Sequence, residues 1–346
     1  TLRSPIGVVG CISPWNLPLY LLTWKIAPAL AAGNVVIAKP SEITPYTAYL
    51  FSEICIKAGV PPGVINILHG TGDSVGQEIV KHKDVPVISF TGGTGTGKKI
   101  NEICAQNFKK VSLELGGKNP TIVFSDCDFE KAIETTLRSS FLNQGQICLC
   151  GSRIFVEKDL YPKFKKAFIK EVRKIVVGNP SNKNSFLGAM VSKGHMEKVL
   201  SYIALAKKEG GKILTGGKRI LLKGRLKNGY YMAPTVIDGL NHLCKTNQEE
   251  IFGPVVSIMP FNDEVDVINM ANSTMYGLSA SLFTENLAKA HRVSSKINSG
   301  VVWVNSWLIR DLRIPFGGMK SSGVGREGGF GSLRFFTEPK NVCIKI

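Results

Sequence analysis

Short apolar runs bounded by Gly or Pro alternate with stretches of helical period from the first residues onward, and this alternation limits the chain to very few folds. Strands are predicted at 6–12, 35–38, 64–68, 85–90 and 111–115, with helices between them at 18–32, 44–57, 73–81 and 95–106. Repeated strand–helix–strand units with short joints build a parallel sheet with helices on its faces. On such sheets ligands bind beyond the carboxyl ends of the strands. The pattern restarts after Gly116-Gly117-Lys118-Asn119-Pro120, which is the best candidate domain boundary. Strands then follow at 121–124, 153–156, 255–260, 280–283 and 301–305, and helices at 128–142, 160–175, 192–209, 263–272 and 287–297. Asp128 is placed to cap the first of these helices. Residues 341–346 alternate like a last strand, which would have to add to an existing edge or to another subunit.

Charge and cysteine content narrow the function. There are 43 Lys and Arg against 26 Asp and Glu, a net charge of +17, so an acidic partner is permitted. The basic residues are dispersed, however. The densest stretch, 163–174, alternates with Phe164, Phe168 and Val172, which is the solvated face of an amphipathic helix and not a nucleic-acid surface. A positive field of this kind can steer an anionic small molecule. The eight cysteines include no CxxC pair, which argues against a structural metal and for a reducing, cytoplasmic setting. The most apolar stretch, 17–32, is broken by Lys25 and Pro28, so no membrane span is expected. The sequence opens on Thr1 inside a hydrophobic pattern, which reads as a fragment or a short isoform.

Three Gly-rich joints follow predicted strands. Gly70 to Gly76 has a GxGxxxG spacing, one residue longer than the dinucleotide fingerprint, and is equally a plain turn. Gly92-Gly93-Thr94-Gly95-Thr96-Gly97-Lys98-Lys99 opens a helix, so its backbone N–H groups form an anion site. It is nearly a phosphate loop, but Lys99 stands where Ser or Thr would hold magnesium. With Asp126 at the end of an apolar strand, a nucleoside triphosphatase stays open as an alternative; the phosphates of a dinucleotide fit the long parallel sheet better. The third joint, from Phe316 to Gly328, reads as close backbone packing.

Three side chains carry candidate chemistry. Cys148 sits where a helix gives way to a Gly turn, either as a small buried apolar residue or as a nucleophile. Glu114 lies at the end of an apolar strand, where a carboxylate is either salt-bridged or desolvated into a general base. Asn16, in Pro14-Trp15-Asn16, is either a turn residue or an amide donor aimed at an oxyanion.

Over essentially its whole length the chain resembles the aldehyde dehydrogenase superfamily. The matching stretches are Pro14-Trp15-Asn16, Lys39-Pro40-Ser41-Glu42, Phe90-Thr91-Gly92, Leu113-Glu114-Leu115-Gly116-Gly117, Gly145-Gln146-Ile147-Cys148, Glu249-Glu250-Ile251-Phe252-Gly253-Pro254 and Pro315-Phe316-Gly317-Gly318. Each is weak alone; seven in one order are specific. The resemblance implies an α/β fold with a parallel Rossmann-type cofactor domain at 1–116, completed by about 322–335. An α/β catalytic domain at 117–321 and an oligomerisation strand at 336–346 would follow. It also implies NAD as cofactor, no metal, and a homodimer or homotetramer.

Carried over position by position, the resemblance makes Cys148 the nucleophile that attacks the aldehyde carbon and Glu114 the base that activates water against the thioester. Asn16 and the Cys148 N–H would hold the oxyanion. Lys39 and Glu42 would contact the adenosine ribose, Glu42 favouring NAD by repelling a 2′-phosphate. Ser13, Pro14, Trp15, Gly92, Gly93 and Gly97 would flank the pyrophosphate, and Glu250 and Phe252 would position the nicotinamide end. Gly93 departs from the Ser that many members carry.

The segment 305–313, with Gln146-Ile147-Cys148-Leu149-Cys150, is similar to the subgroup acting on 2-aminomuconic and 2-hydroxymuconic semialdehydes, the former an intermediate of tryptophan catabolism through kynurenine. There Arg310 would grip the substrate carboxylate beside Phe316, because a guanidinium fork binds carboxylate with two hydrogen bonds. The alternatives are a surface ion pair with Asp311 or another acid, a retinal or general aldehyde substrate, and an inactive truncated isoform.

Overall fold

The computed structural model describes residues 1–346, which form two compact units. The first comprises Thr1–Leu115, Asp311–Gly318 and Ser322–Ile346, the second Gly116–Arg310 and Met319–Ser321.

The first unit is built on a six-stranded sheet. Its spatial order is Gly323–Val324, Lys110–Glu114, Val87–Thr91, Val8–Ile12, Val35–Lys39 and Ile65–Ile67, parallel throughout except for the first strand. These strands are rich in Val and Ile, and Val87–Thr91 is buried along its whole length, as a sheet covered on both faces requires. Alternate residues feed two cores. Val9, Cys11, Val36, Ala38 and Val87 pack with Leu22 and Ile26 of the helix Pro18–Ala31. Ile12, Ile88, Phe90 and Leu113 pack with Ile79, Val80 and Ile100. Phe336, just beyond the helix Gly329–Phe335, closes the first of these cores.

Two predicted elements differ in this unit. The helix expected at 73–81 is a π-turn over Gly72–Gly76 followed by a short α-helix, Gln77–Lys81. The last strand is Thr337–Lys340, paired antiparallel with Leu2–Pro5, and not 341–346. Alternation specifies two faces but no partner; within one chain nothing lies beside 341–346, and Val342, Ile344 and Ile346 are exposed.

The second unit holds a seven-stranded sheet. Its order is Val301–Val304, Ser279–Phe283, Asn119–Val123, Gly151–Glu157, Val255–Phe261, Thr235–Asp238 and Lys212–Thr215, with only the last strand antiparallel. The helix Phe129–Phe141 begins as expected at Asp128, whose carboxylate accepts the Lys131 N–H at 3.2 Å. Ser192 caps Lys193–Lys208 in the same way. The basic stretch is the helix Tyr161–Val172, which buries Phe164, Phe168 and Val172 and turns its other face to solvent. Arg153 is fully buried. Its guanidinium donates to the carbonyls of Lys118, Met270 and Ala271 at 2.8–2.9 Å, the satisfaction that a buried charge demands. No helix is long and apolar enough to cross a membrane.

Candidate active site

In the first unit a cleft of about 640 Å³ opens at the carboxyl ends of Val8–Ile12, Val35–Lys39 and Val87–Thr91. Seven of the residues expected to hold a cofactor line it: Ser13, Pro14, Trp15, Lys39, Glu42, Gly92 and Gly93. The Lys39 ammonium lies 3.0 Å from a Glu42 carboxylate oxygen. Burial alone would raise Glu42, but hydrogen bonds from its own backbone amide and from Lys39 hold it below the usual carboxylate value. Gly93 caps the helix Thr94–Gln106 with extended backbone and no side-chain acceptor, leaving the first N–H groups of that helix available to an anion. The hydroxyls of Ser13 and Thr91, both in the cleft wall, are buried with no protein hydrogen-bond partner. Size, the N–H row and these hydroxyls fit a ligand carrying hydroxyls and phosphate.

Gly97 is the exception among the expected lining residues. It sits one turn inside the helix and lets it approach the end of the neighbouring strand, since a Cβ there would fall 2.4 Å from Leu115. Asn16 follows the lining segment and is half-buried.

Glu114 ends the strand Lys110–Glu114. Its carbonyl accepts the Gly92 N–H at 3.0 Å, and its backbone pairs with Thr91 on one side and Gly323 on the other. Its side chain is 5% exposed and packs against Gly317, where a Cβ would come within 2.8 Å of the carboxylate. This is the close packing expected of the third Gly-rich joint. Phe316, one residue earlier, is buried and exchanges two backbone hydrogen bonds of 2.7 Å with Glu327.

In the second unit the helix Phe129–Phe141 runs into a tight turn in which Asn143, Gln144 and Gly145 all have positive φ. At Gly145 the need is absolute, because a Cβ would lie 2.2 Å from the Gly253 carbonyl oxygen. The turn delivers Cys148, half-buried, at its exit. The Asn119 carboxamide donates to the carbonyls of Cys148 at 2.6 Å and Cys150 at 2.9 Å, and the Trp307 indole donates to the Leu149 carbonyl at 2.9 Å. Cys150 is buried and its thiol is pushed up to about 12 by desolvation, so it is no competing thiolate.

Glu250 and Phe252 flank a small cavity shared with Gly117, Gly145 and Cys150. The Gly117 N–H donates to Glu250 Oε1 at 2.9 Å, and desolvation raises the Glu250 carboxyl above its usual value against that bond. Phe252 has a positive φ; its carbonyl lies 2.6 Å from His195 Nε2 and its ring meets the imidazole edge-on at 6.0 Å. Arg310 ends a loop that the Trp303 indole holds through the Ile309 carbonyl at 2.8 Å. In the first unit, Asp311 is gripped by Arg313 through both carboxylate oxygens.

The triphosphatase alternative finds no support at Asp126. Asp126, the candidate metal-binding acid of a triphosphatase, is engaged by Lys289 at 2.8 Å and by the Thr284 hydroxyl at 2.7 Å. No group of three or more His, Cys, Asp or Glu side chains is placed to hold a metal ion. Asn119, His195 and Trp307 went unnoticed as site residues in the sequence, because each works through a backbone carbonyl and no side-chain pattern announces that.

A parallel sheet with a dinucleotide-sized cleft beyond its strand ends, accompanied by a second α/β unit, is the architecture of a nucleotide-dependent enzyme. The aldehyde dehydrogenase family model matches residues 1–342. The chain is 54% identical over 347 residues to 2-aminomuconic semialdehyde dehydrogenase of Mus musculus, covering 100% of this chain and 71% of that protein. It is 48% identical over 345 residues to 2-hydroxymuconic semialdehyde dehydrogenase of a Pseudomonas species (strain CF600), covering 99% and 71%. Among solved structures, betaine aldehyde dehydrogenase from Staphylococcus aureus in complex with NAD+ superposes with a TM-score of 0.95 at 42% identity, over 98% of this chain and 69% of that one. The chain belongs to the aldehyde dehydrogenase family.

Proposed function

We propose that this protein oxidises an aldehyde bearing a carboxylate group, 2-aminomuconic semialdehyde or its 2-hydroxy analogue, to the corresponding acid with NAD. The observation that carries the reading is the loop ending at Arg310, which the Trp307 indole ties to the residue after Cys148. A guanidinium on such a loop suits a semialdehyde acid better than a neutral or retinal-like aldehyde, which would favour an apolar wall. Relatives 48–54% identical to this chain carry the names of both semialdehyde dehydrogenases.

Each step uses a group of this chain. The Cys148 thiolate attacks the aldehyde carbon, forming a C–S bond and moving the carbonyl electron pair onto oxygen. That oxyanion accepts hydrogen bonds from the Cys148 N–H and the Asn16 amide. NAD, when bound, supplies the hydride acceptor. The acyl group is then a thioester on Cys148. Glu114 takes one proton from water, whose oxygen attacks the thioester carbon; the C–S bond breaks, returning the thiolate and releasing the carboxylic acid, which gives its remaining proton to solvent. The cleft of the first unit holds the dinucleotide: Lys39 and Glu42 take the ribose hydroxyls, and Ser13, Pro14, Trp15, Gly92 and Gly93 line the pyrophosphate site, with Gly97 letting the helix behind it pack close to Leu115. Glu250 and Phe252 serve the nicotinamide end, and Phe316 and Arg310 the substrate. We also propose that the protein works in the cytoplasm as a homodimer or homotetramer, for which the exposed alternation of Val342, Ile344 and Ile346 offers a pairing edge.

Absorbance at 340 nm tests the chemistry. The protein with NAD and 2-hydroxymuconic semialdehyde is expected to form NADH, and Cys148→Ala to form none. NADH production by Cys148→Ala at the unsubstituted rate would refute the covalent route.

A further inference from the structure

The three consecutive carbonyls that follow the Cys148 side chain are all held by side-chain donors from distant parts of the second unit. Asn119 reaches the first and third, at 2.6 and 2.9 Å, and the Trp307 indole takes the middle one at 2.9 Å. The Asn119 carboxamide has no capacity left to wander: both amino hydrogens are donated, and its oxygen accepts the Ser279 N–H at 3.0 Å. The Cys150 N–H closes the turn onto the Ile147 carbonyl at 2.9 Å. Asn119 and Trp307 are 3% and 5% exposed, so water cannot replace either donor without local opening.

Trp307 itself sits on a stiff loop. Asn305 and Leu308 on either side of it have positive φ, and the Asn305 carboxamide both donates to and accepts from the Thr284 backbone. The Trp303 indole pins Ile309, the residue before Arg310.

We propose that Asn119 and Trp307 are positioning residues that clamp the 148–150 backbone, and that Trp307 sets the register of the Arg310 loop against the nucleophile turn. This rests on the reading of Cys148 as nucleophile. A reacting atom displaced by about 1 Å loses on the order of 100-fold in rate, so a clamp on the peptide that carries the thiol acts on the chemical step. The same clamp makes the carboxylate-binding loop and the thiol move as one body, which fixes the distance between acid and aldehyde that the substrate must span.

Two variants separate the clamp from general stability. Trp307→Phe keeps an aromatic ring and removes the five-membered ring of the indole with its N–H; Asn119→Ala removes the other two donors together with the acceptor of the Ser279 N–H. Hydrogen exchange read by mass spectrometry, with no cofactor present, is expected to speed up roughly tenfold at amides 148–151 in each. The strands Asn119–Val123 and Val255–Phe261 are expected to keep their protection. With NAD and 2-hydroxymuconic semialdehyde, the pre-steady-state NADH burst of Trp307→Phe is expected to slow about tenfold at unchanged NAD affinity. Its KM for the acid semialdehyde is expected to rise more than its KM for hexanal. Unchanged exchange at 148–151, or exchange rising equally through the sheet, overturns the clamp. An unchanged burst with faster exchange overturns its role in the reaction. If the unsubstituted protein forms no NADH while exchange responds locally, the clamp stands and the reading of Cys148 falls.

Discussion

The Lys25 ammonium lies 2.7 Å from Glu327 Oε1, and the two side chains are 0% and 9% exposed. The other carboxylate oxygen accepts the Trp24 indole N–H at 2.6 Å, while Lys25 also donates to the Ser89 hydroxyl at 3.1 Å. The pair ties the helix Pro18–Ala31 to the segment whose backbone holds Phe316. Removing one member of a buried pair leaves the other charge uncompensated, at a cost of about 3–5 kcal/mol. Glu327→Gln and Lys25→Met are each expected to lower stability by that order. The double variant should lose much less than the sum of the singles. Urea unfolding of all four proteins checks this; additive losses would mean that the two charges do not stabilise one another.

Glu114 separates the two halves of the proposed reaction. Replacing its carboxylate with an amide of the same shape keeps the packing against Gly317 and removes the proton acceptor. Glu114→Gln is therefore expected to give one equivalent of NADH per site in a burst, followed by turnover at least about 100-fold slower. Stopped-flow absorbance resolves both phases. A proportional loss of burst and turnover would move Glu114 from deacylation to acylation.

The family and the alternation behind both sheets were legible in the sequence, because long apolar strands with Gly joints and seven ordered motifs leave little room for another fold. Elements with weak signals were not. Lys212–Thr215 and Thr235–Asp238 are four residues each, too short for a period to emerge from their surroundings. The terminal strand was placed a few residues late because alternation reports faces and not partners. Within the site, the roles proposed for Cys148 and Glu114 rest on side chains whose sequence neighbours already single them out. Support from Asn119 and Trp307 could not, since they reach carbonyls up to 158 positions away in the chain and only the fold brings them there.

Arg310 carries the substrate assignment, so its removal should discriminate between aldehydes. Without the guanidinium a substrate carboxylate loses a charge-assisted contact worth about 1.5–3 kcal/mol, while a neutral aldehyde loses nothing comparable. Arg310→Ala is expected to lower kcat/KM for 2-hydroxymuconic semialdehyde by roughly 10- to 100-fold, mostly through KM, and to leave hexanal within about threefold. Steady-state kinetics with both substrates decides. Equal losses on the two would show Arg310 serving the loop and not the carboxylate.

Lys118 gives the fold a pH signature of its own. It is 3% exposed, and burial together with the neighbouring Arg153 charge lowers its pKa from 10.5 to about 7, against the opposing pull of Glu250. Because the folded value is depressed, the unfolded chain binds more protons than the native protein between about pH 7 and the ordinary lysine value, and stability must rise with pH across that window. Below it both states are protonated and the native one bears the full desolvation penalty. Above it both are neutral and the penalty is gone. Lys118→Met, which fills the same space without a charge, should remove this dependence. The unfolding free energy of the unsubstituted protein relative to Lys118→Met is expected to climb steadily from about pH 7 to pH 10, read from urea midpoints at each pH. A difference that stays flat over this range would mean that Lys118 keeps its proton in the folded state, stabilised there by Glu250 more strongly than burial opposes it.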